Sequence, residues 1–124
     1  MSSGYEFTER SELNNAVDLW ISDSNSATTT YGGVIGTWDV SGIDDFSFLF
    51  SFIRNVGAAS FNSDISNWDV SSGTNFNNMF YGADAFNQDI GGWDVSSGND
   101  FSDMFYYSNA FNQDIGSWDV SSGT

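Results

Sequence analysis

Aspartate is the residue type with the most scope for chemistry in this chain, because it recurs within a repeated tripeptide, Trp-Asp-Val. The tryptophan of that tripeptide recurs in steps of 30, 25 and 25 residues, at Trp38, Trp68, Trp93 and Trp118. Stacked repeats would place the carboxylates in a row. Calcium is bound by carboxylate and carbonyl oxygens, so Asp69, Asp94 and Asp119 are candidate Ca²⁺ ligands.

A structural interpretation of the same aspartates is also open. A Ser-Ser or Ser-Gly pair follows each Trp-Asp-Val. Each carboxylate could therefore accept hydrogen bonds from a serine and from backbone N–H groups of that turn. The sequence has no EF-hand loop and no glycine–aspartate calcium nonapeptide. We favour the structural interpretation and expect no cofactor, with Ca²⁺ as the alternative.

Tryptophan and asparagine recur in the same register and allow two further interpretations. A row of indole rings could stack on sugars, because tryptophan is amphipathic, although a tryptophan at a fixed repeat position is more often part of the core. The asparagines predict a ladder in which side chains satisfy backbone groups of each turn. These asparagines are Asn62, Asn87 and Asn112.

Catalysis is disfavoured by what the chain lacks. It contains no histidine and no cysteine, which removes the commonest general base and the thiol nucleophile. Paired carboxylates could hydrolyse glycosides, but these carboxylates recur with the repeat, whereas catalytic sites are usually single. The sequence therefore predicts a protein that is not an enzyme.

The charge of the chain limits its partners. The formal net charge is −15, and the two cations are Arg10 and Arg54. Nucleic acids and anionic membranes attract basic surfaces, so neither is an expected partner. Cations, neutral sugars and basic proteins remain. No apolar run is long enough for a membrane span, and no signal segment follows Met1.

The elements that position these residues are predicted by the repeat. The segment FNQDIGGWDVSS at Phe86 returns as FNQDIGSWDVSS at Phe111 and appears as FNSDISNWDVSS at Phe61. This period is typical of stacked repeats. We expect an α/β fold: a single-domain, leucine-rich-repeat-like solenoid with one short parallel strand and one short helix per 25-residue coil. Residues 31–124 would hold three full repeats and a partial fourth.

Residues 1–30 are expected to form an N-terminal capping helix and a polar loop. Leu13, Ala16, Val17 and Trp20 follow helical spacing. We predict a helix over Thr8–Ile21, capped by Thr8, and a loop over Asp23–Thr30. The helix would cover the first coil, because end repeats otherwise expose apolar surface.

The repeat resembles the 25–26-residue repeat of BspA-like leucine-rich-repeat surface proteins and bacterial surface lipoproteins. The resemblance rests on FNQDI at Phe86, on WDVS at Trp93, and on Met104, Phe105 and Ala110. It implies an extracellular or cell-surface protein with a structural or adhesive role and no active site. Two departures, glycine at Gly73 and Gly98 and phenylalanine at Phe76 and Phe101, predict a looser turn and altered packing.

Self-assembly is the last expectation. The sequence stops at Thr124, where the next helix would begin, and an open repeat end is a pairing edge. Head-to-tail stacking of copies would give a homo-oligomer or a filament. A glycan or a host surface protein is another expected partner, and a calcium- or glycan-binding module using the aspartate or tryptophan rows is the alternative function. The predicted assembly interface comprises Leu13, Val17, Trp20, Trp118 and Val120.

Overall fold

The computed structural model describes residues 5–123, and its regular elements lie in the first half. Helix α1 is Arg10–Ser22 and helix α2 is Ser24–Thr30, followed by 3₁₀ turns at Ile35–Thr37 and Val56–Ser60. Residues 1–4 and 124, the outer ends of the predicted segments 1–30 and 31–124, lie outside this range. No helix in the described part is long and apolar enough to cross a bilayer.

Helix α1 buries the apolar face that its sequence predicts. Leu13, Ala16 and Val17 are fully buried. The helix begins at Arg10, and its N-cap is Glu9, whose side chain makes no capping hydrogen bond. The predicted cap at Thr8 is therefore wrong, while the predicted helix is shifted by only one or two residues.

Helix α2 replaces the polar loop predicted for Asp23–Thr30. Asp23 is its N-cap and accepts hydrogen bonds from Ser26 N at 3.2 Å and Ser26 Oγ at 2.8 Å. Ala27 is the buried residue of this helix. The loop prediction failed because serine, threonine and asparagine have low intrinsic helix propensity, whereas a cap and one buried contact stabilise the helix in this context.

The predicted α/β solenoid is wrong, and so is the leucine-rich-repeat-like description. Within residues 5–123 there is no strand and no sheet. Only isolated parallel bridges occur, at Glu6–Asp39, Asp45–Asn75 and Asn75–Asp100. The expected strand is a tight turn, because Trp93 N donates to Ile90 O at 3.1 Å and Gly98 N donates to Val95 O at 2.9 Å.

The predicted helix in each repeat is also wrong. Each of these segments instead contains a residue in the left-handed conformation, with φ values of 60° at Phe48, 56° at Asn78 and 53° at Asp103. A left-handed residue interrupts an α-helix. The backbone N–H groups of these segments bond to the following copy of the repeat: Phe76 N donates to Asp100 O at 2.8 Å.

Successive copies nevertheless pack in register through aromatic rings. Phe80 stacks between Phe50 and Phe105, with ring centroids 5.5 Å away on each side. Trp93 and Trp118 stack at 6.4 Å with an interplanar angle of 3°. Burying such a side chain contributes about 1.5–3 kcal/mol. The core is therefore a set of aromatic columns joined by turns.

The two departures from the surface-protein repeat compensate each other. A Cβ atom on Gly98 would lie 2.4 Å from Cζ of Phe101, and one on Gly73 would lie 2.5 Å from Cζ of Phe76. The phenylalanine ring therefore occupies the space that a side chain at the glycine would need. The glycine thus leaves room for the phenylalanine ring, which is fully buried at Phe76.

Candidate binding surfaces

The aspartates of the Trp-Asp-Val tripeptides close the turns that follow them. Asp94 Oδ1 accepts hydrogen bonds from Ser96 Oγ at 2.6 Å and Ser96 N at 3.1 Å. Asp69 accepts the same pair from Ser71, at 2.5 and 3.0 Å. The Ser96 hydroxyl, and then its N–H, lower the pKa of Asp94. The structural interpretation of these aspartates is confirmed.

The carboxylates of the candidate calcium ligands accept hydrogen bonds within these turns. Asp119 Oδ1 accepts from Ser121 N at 3.0 Å, and hydrogen bonds from Ser121 lower the pKa of Asp119. Among residues 5–123, no three metal-ligating side chains come together as a group. Calcium binding by Asp69, Asp94 and Asp119 stays a prediction, and no observed geometry favours it.

Three of the four repeat tryptophans are core residues, and the fourth, Trp118, is half-buried. Trp38, Trp68 and Trp93 are 3–4% exposed. Each indole after Trp38 also donates its N–H to the previous copy: Trp93 Nε1 donates to Ile65 O at 3.1 Å, and Trp118 Nε1 donates to Ile90 O at 3.0 Å. The expectation that tryptophan forms the framework is confirmed, and the buried rings offer no face to a glycan.

The asparagines form the predicted ladder. Asn87 N donates to Asn62 Oδ1 at 2.8 Å, and Asn112 N donates to Asn87 Oδ1 at 2.9 Å. Glutamine strengthens the ladder, because Gln113 Nε2 donates to both the backbone and side-chain oxygens of Asn87. The type and spacing of this glutamine alone did not predict this role.

The predicted assembly residues do not form one surface. Leu13 and Val17 are fully buried inside this chain, so their assignment to an assembly interface is wrong. Trp20 is half-buried, and its Nε1 donates to Ser63 Oγ at 2.9 Å. Trp118 is half-buried and Val120 is 49% exposed. Only these last two lie on the outer side of the last copy.

Both arginines have a role that the sequence analysis missed. Arg10 Nη1 donates to Asp45 O at 3.0 Å, and Arg10 Nη2 donates to Ser47 O. Arg54 Nη2 donates to Leu49 O at 2.7 Å. Burial lowers the pKa of Arg10, and Asp45 acts in the opposite direction. The guanidinium groups therefore satisfy backbone carbonyls of the first copy.

A shallow aromatic groove is the second feature that the sequence analysis missed. It has a volume of about 550 Å³, and Phe52, Ile53 and Tyr107, which are 46–61% exposed, lie along it. Asn109 Nδ2 donates to Asp84 Oδ1 at 2.7 Å on its polar side. The five extra residues between the first and second tripeptides fall beside Ile53 and were a usable signal, because inserted loops often carry function.

Comparison with known proteins identifies a family and nothing closer. A family model described as "Mycoplasma protein of unknown function, DUF285" matches residues 20–124. No curated protein matches the chain. No solved structure matches it either. The resemblance to BspA-like surface repeats stays a prediction.

Proposed function

We propose a non-enzymatic adhesive or structural role at the cell surface for this chain. The chain belongs to the family described as Mycoplasma protein of unknown function, DUF285. The aromatic groove carries this proposal. Its partner is a basic segment of another surface protein, bound through an apolar side chain seated between Ile53 and Tyr107. An extracellular location follows from the surface-repeat resemblance.

The apolar exposure supports a protein partner. Phe52, Ile53 and Tyr107 lie together over a floor that includes Ala59 and Tyr81. Soluble monomers rarely expose contiguous apolar patches, and such patches often mark sites where another protein binds. Tyrosine and phenylalanine are enriched at interfaces, because they bury large areas at low entropic cost.

The charge of the chain supports a basic partner. The chain carries a net charge of −15, and Asp84 lines the groove itself. Complementary charge steers association and excludes acidic competitors. The repeated carboxylates elsewhere are held by serines, as at Asp94 and Ser96, which fits a scaffold better than a reactive centre.

The test measures binding of short synthetic peptides to groove variants by fluorescence anisotropy. The probes place one leucine or tyrosine between lysines, and matched probes carry glutamate in place of lysine. Ile53→Ser removes an apolar side chain of the groove. Val56→Ser is the matched control, because Val56 is also β-branched and is 71% exposed but does not line the groove.

We expect the lysine probes to bind and the glutamate probes not to bind. Ile53→Ser and Tyr107→Asn should each weaken binding about tenfold, the effect of ~1.4 kcal/mol, whereas Val56→Ser should change it little. Asparagine is chosen at Tyr107 because it tolerates the left-handed φ of 59°. Equal binding by the wild type and both groove variants, or binding of a neutral glycan in place of the peptides, would overturn the proposal.

A further inference from the structure

The aromatic groove follows one column of equivalent positions, with one residue from each copy of the repeat. Phe52 N donates to Tyr81 O at 2.8 Å, and Gly82 N donates to Tyr106 O at 2.8 Å. The equivalent residues of the first, second and third copies are therefore Phe52, Gly82 and Tyr107. All three line the groove. The column thus has an aromatic ring in each outer copy and no side chain in the middle copy.

A neighbouring column shows the packing of a complete set of rings. Stacked rings occupy it in all three copies, at Phe50, Phe80 and Phe105, with centroids 5.5 Å apart between neighbours. Gly82 has no ring to fill the corresponding place in the groove. Its backbone approaches the first copy closely, because a Cβ atom on Gly82 would lie 2.8 Å from Cβ of Phe52. The groove is therefore open because a side chain is missing and not because the copies have separated.

Tyr107 presents its ring from a backbone conformation that favours glycine. Its φ is 59°, and its equivalent Gly82 has a φ of 72°. Residues with a Cβ atom are disfavoured in this left-handed region, whereas glycine enters it freely. Glycine would therefore serve the backbone at both positions. The Tyr107 side chain, which is 59% exposed, is a feature that the turn itself does not require.

Two other tyrosines hold the Tyr107 ring in place. Its centroid lies 4.2 Å from that of Tyr106. It lies 6.0 Å from that of Tyr81, which meets it edge-on at an interplanar angle of 89°. A ring that is fixed in advance loses little freedom when a partner binds, so more of the contact energy appears as affinity. The groove therefore offers a preorganised aromatic face.

Asp84 adds a negative charge beside this face. Its Oδ1 accepts a hydrogen bond from Asn109 Nδ2 at 2.7 Å, and no group within residues 5–123 donates to its Oδ2. Both arginines of the chain form ion pairs with other aspartates, and no basic side chain lines the groove. The Asp84 carboxylate therefore has no cationic partner in the described part of the chain.

We propose that an arginine of the basic segment lies over Gly82, between Phe52 and Tyr107. Its guanidinium group stacks on these rings and donates hydrogen bonds to the carboxylate of Asp84. This inference rests on the proposed function, because it names the cation of the segment that the groove binds. The apolar side chain of the same segment keeps its place beside Ile53.

Arginine is the side chain whose chemistry matches both parts of the site. Guanidinium is planar and weakly hydrated, stacks on aromatic faces and donates two parallel hydrogen bonds to a carboxylate. The lysine ammonium is a compact, strongly hydrated charge without a flat face, so it matches the carboxylate better than the rings. An uncharged apolar side chain matches the rings and leaves the carboxylate without a partner.

The test compares peptide probes of equal length by fluorescence anisotropy. One probe has leucine between lysines, a second has leucine between arginines, and a third has citrulline in place of arginine. Citrulline keeps the planar shape of the arginine side chain and removes its charge. We expect the arginine probe to bind about tenfold more tightly than the lysine probe, as expected for a partly desolvated cation–π contact. The citrulline probe should bind more weakly than the arginine probe.

Three variants of the full chain locate the guanidinium group. Phe52→Leu removes an aromatic face and keeps an apolar side chain, and Asp84→Asn removes the charge and keeps an oxygen for Asn109. Gly82→Asn places a side chain in the gap with a residue that tolerates left-handed φ values. Each should bring the arginine and lysine probes to within about threefold of each other. Val56→Ser is the control and should keep the full preference.

The outcomes separate this inference from the proposed function. Equal binding of the arginine and lysine probes to the wild type, with Ile53→Ser still weakening both, would overturn the arginine site and leave the proposed function standing. Failure of every basic probe to bind would overturn both. An arginine preference that Phe52→Leu and Asp84→Asn leave intact would also overturn the inference, and these two variants decide it even if Gly82→Asn does not fold.

Discussion

Replacing Arg54 by methionine tests whether the arginines stabilise the fold by donating hydrogen bonds to backbone carbonyls of the first copy of the repeat. The variant keeps an unbranched stem and removes every donor. Arg54 Nη2 lies 2.7 Å from Leu49 O, and Nε lies 3.2 Å from Phe48 O. The Arg54 side chain is 18% exposed, while the partner Asp18 is 43% exposed. The carbonyls would lose a charged donor in a partly buried setting.

The expected cost follows from these contacts. A hydrogen bond to a charged group contributes about 1.5–3 kcal/mol, and Arg54 makes such bonds to two carbonyls. The ion pair with the more exposed Asp18 adds about 0–1 kcal/mol. We expect Arg54→Met to lower the free energy of unfolding by about 2–4 kcal/mol, taking the bonds as partly redundant.

Urea unfolding followed by tryptophan fluorescence measures this change. Asp18→Asn is the matched control, because it removes the ion pair and leaves the bonds to the carbonyls, and it should cost about 0–1 kcal/mol. Molar salt screens an exposed ion pair but should leave most of the Arg54→Met effect. A loss of unfolding free energy below about 1 kcal/mol is the range of a surface ion pair. Such a small loss, or a loss that disappears in molar salt, would refute the stabilising role of the hydrogen bonds from Arg54 to the carbonyls.

Two further predictions concern the turns. Gly98→Ala should destabilise the chain by about 1–3 kcal/mol through overpacking, because the new Cβ would lie 2.4 Å from Cζ of Phe101; Phe101→Met should recover part of this cost in a double-mutant cycle, and additive costs would contradict the coupling. Ser96→Ala should raise the pKa of Asp94 towards its ordinary value, since the Ser96 hydroxyl is the main cause of its lowering; carboxyl NMR titration should show this at Asp94 and not at Asp119. A lowered pKa stabilises the fold above the unfolded value of 3.8 and loses that contribution as pH falls through the folded pKa, so Ser96→Ala should reduce the acid sensitivity of stability.

Side-chain roles in the repeat could be predicted from the sequence, because they depend on residue type and register. The asparagine ladder, the aspartate turns and the buried tryptophans all follow from identical residues at equal spacing, as at Asn87, Asp94 and Trp93. The buried face of α1 was visible as helical periodicity. These features need only the knowledge that copies lie next to one another.

Backbone conformation could not be predicted in the same way. Isoleucine and tryptophan three positions apart favour a strand by composition, but Trp93 N bonds to Ile90 O and closes a turn. The segment from Phe76 to Phe80 has helical apolar spacing, yet Asn78 adopts a left-handed φ and the N–H groups bond to the next copy. Competition between local and inter-copy hydrogen bonds decides both cases, and residue type alone does not reveal it.

Amide hydrogen exchange tests the central claim, that alternate backbone N–H groups of each inner copy bond to carbonyls of the following copy, whereas the equivalent N–H groups at Phe101, Phe105 and Tyr107 have no acceptor within residues 5–123. The donors of the inner ladders, such as Phe50 and Phe80, have acceptors in the next copy. We predict slow exchange at these amides and fast exchange at Phe101, Phe105 and Tyr107, at both low and high protein concentration. Protection of the last three equal to that of Phe80 in a dilute monomer would contradict the account.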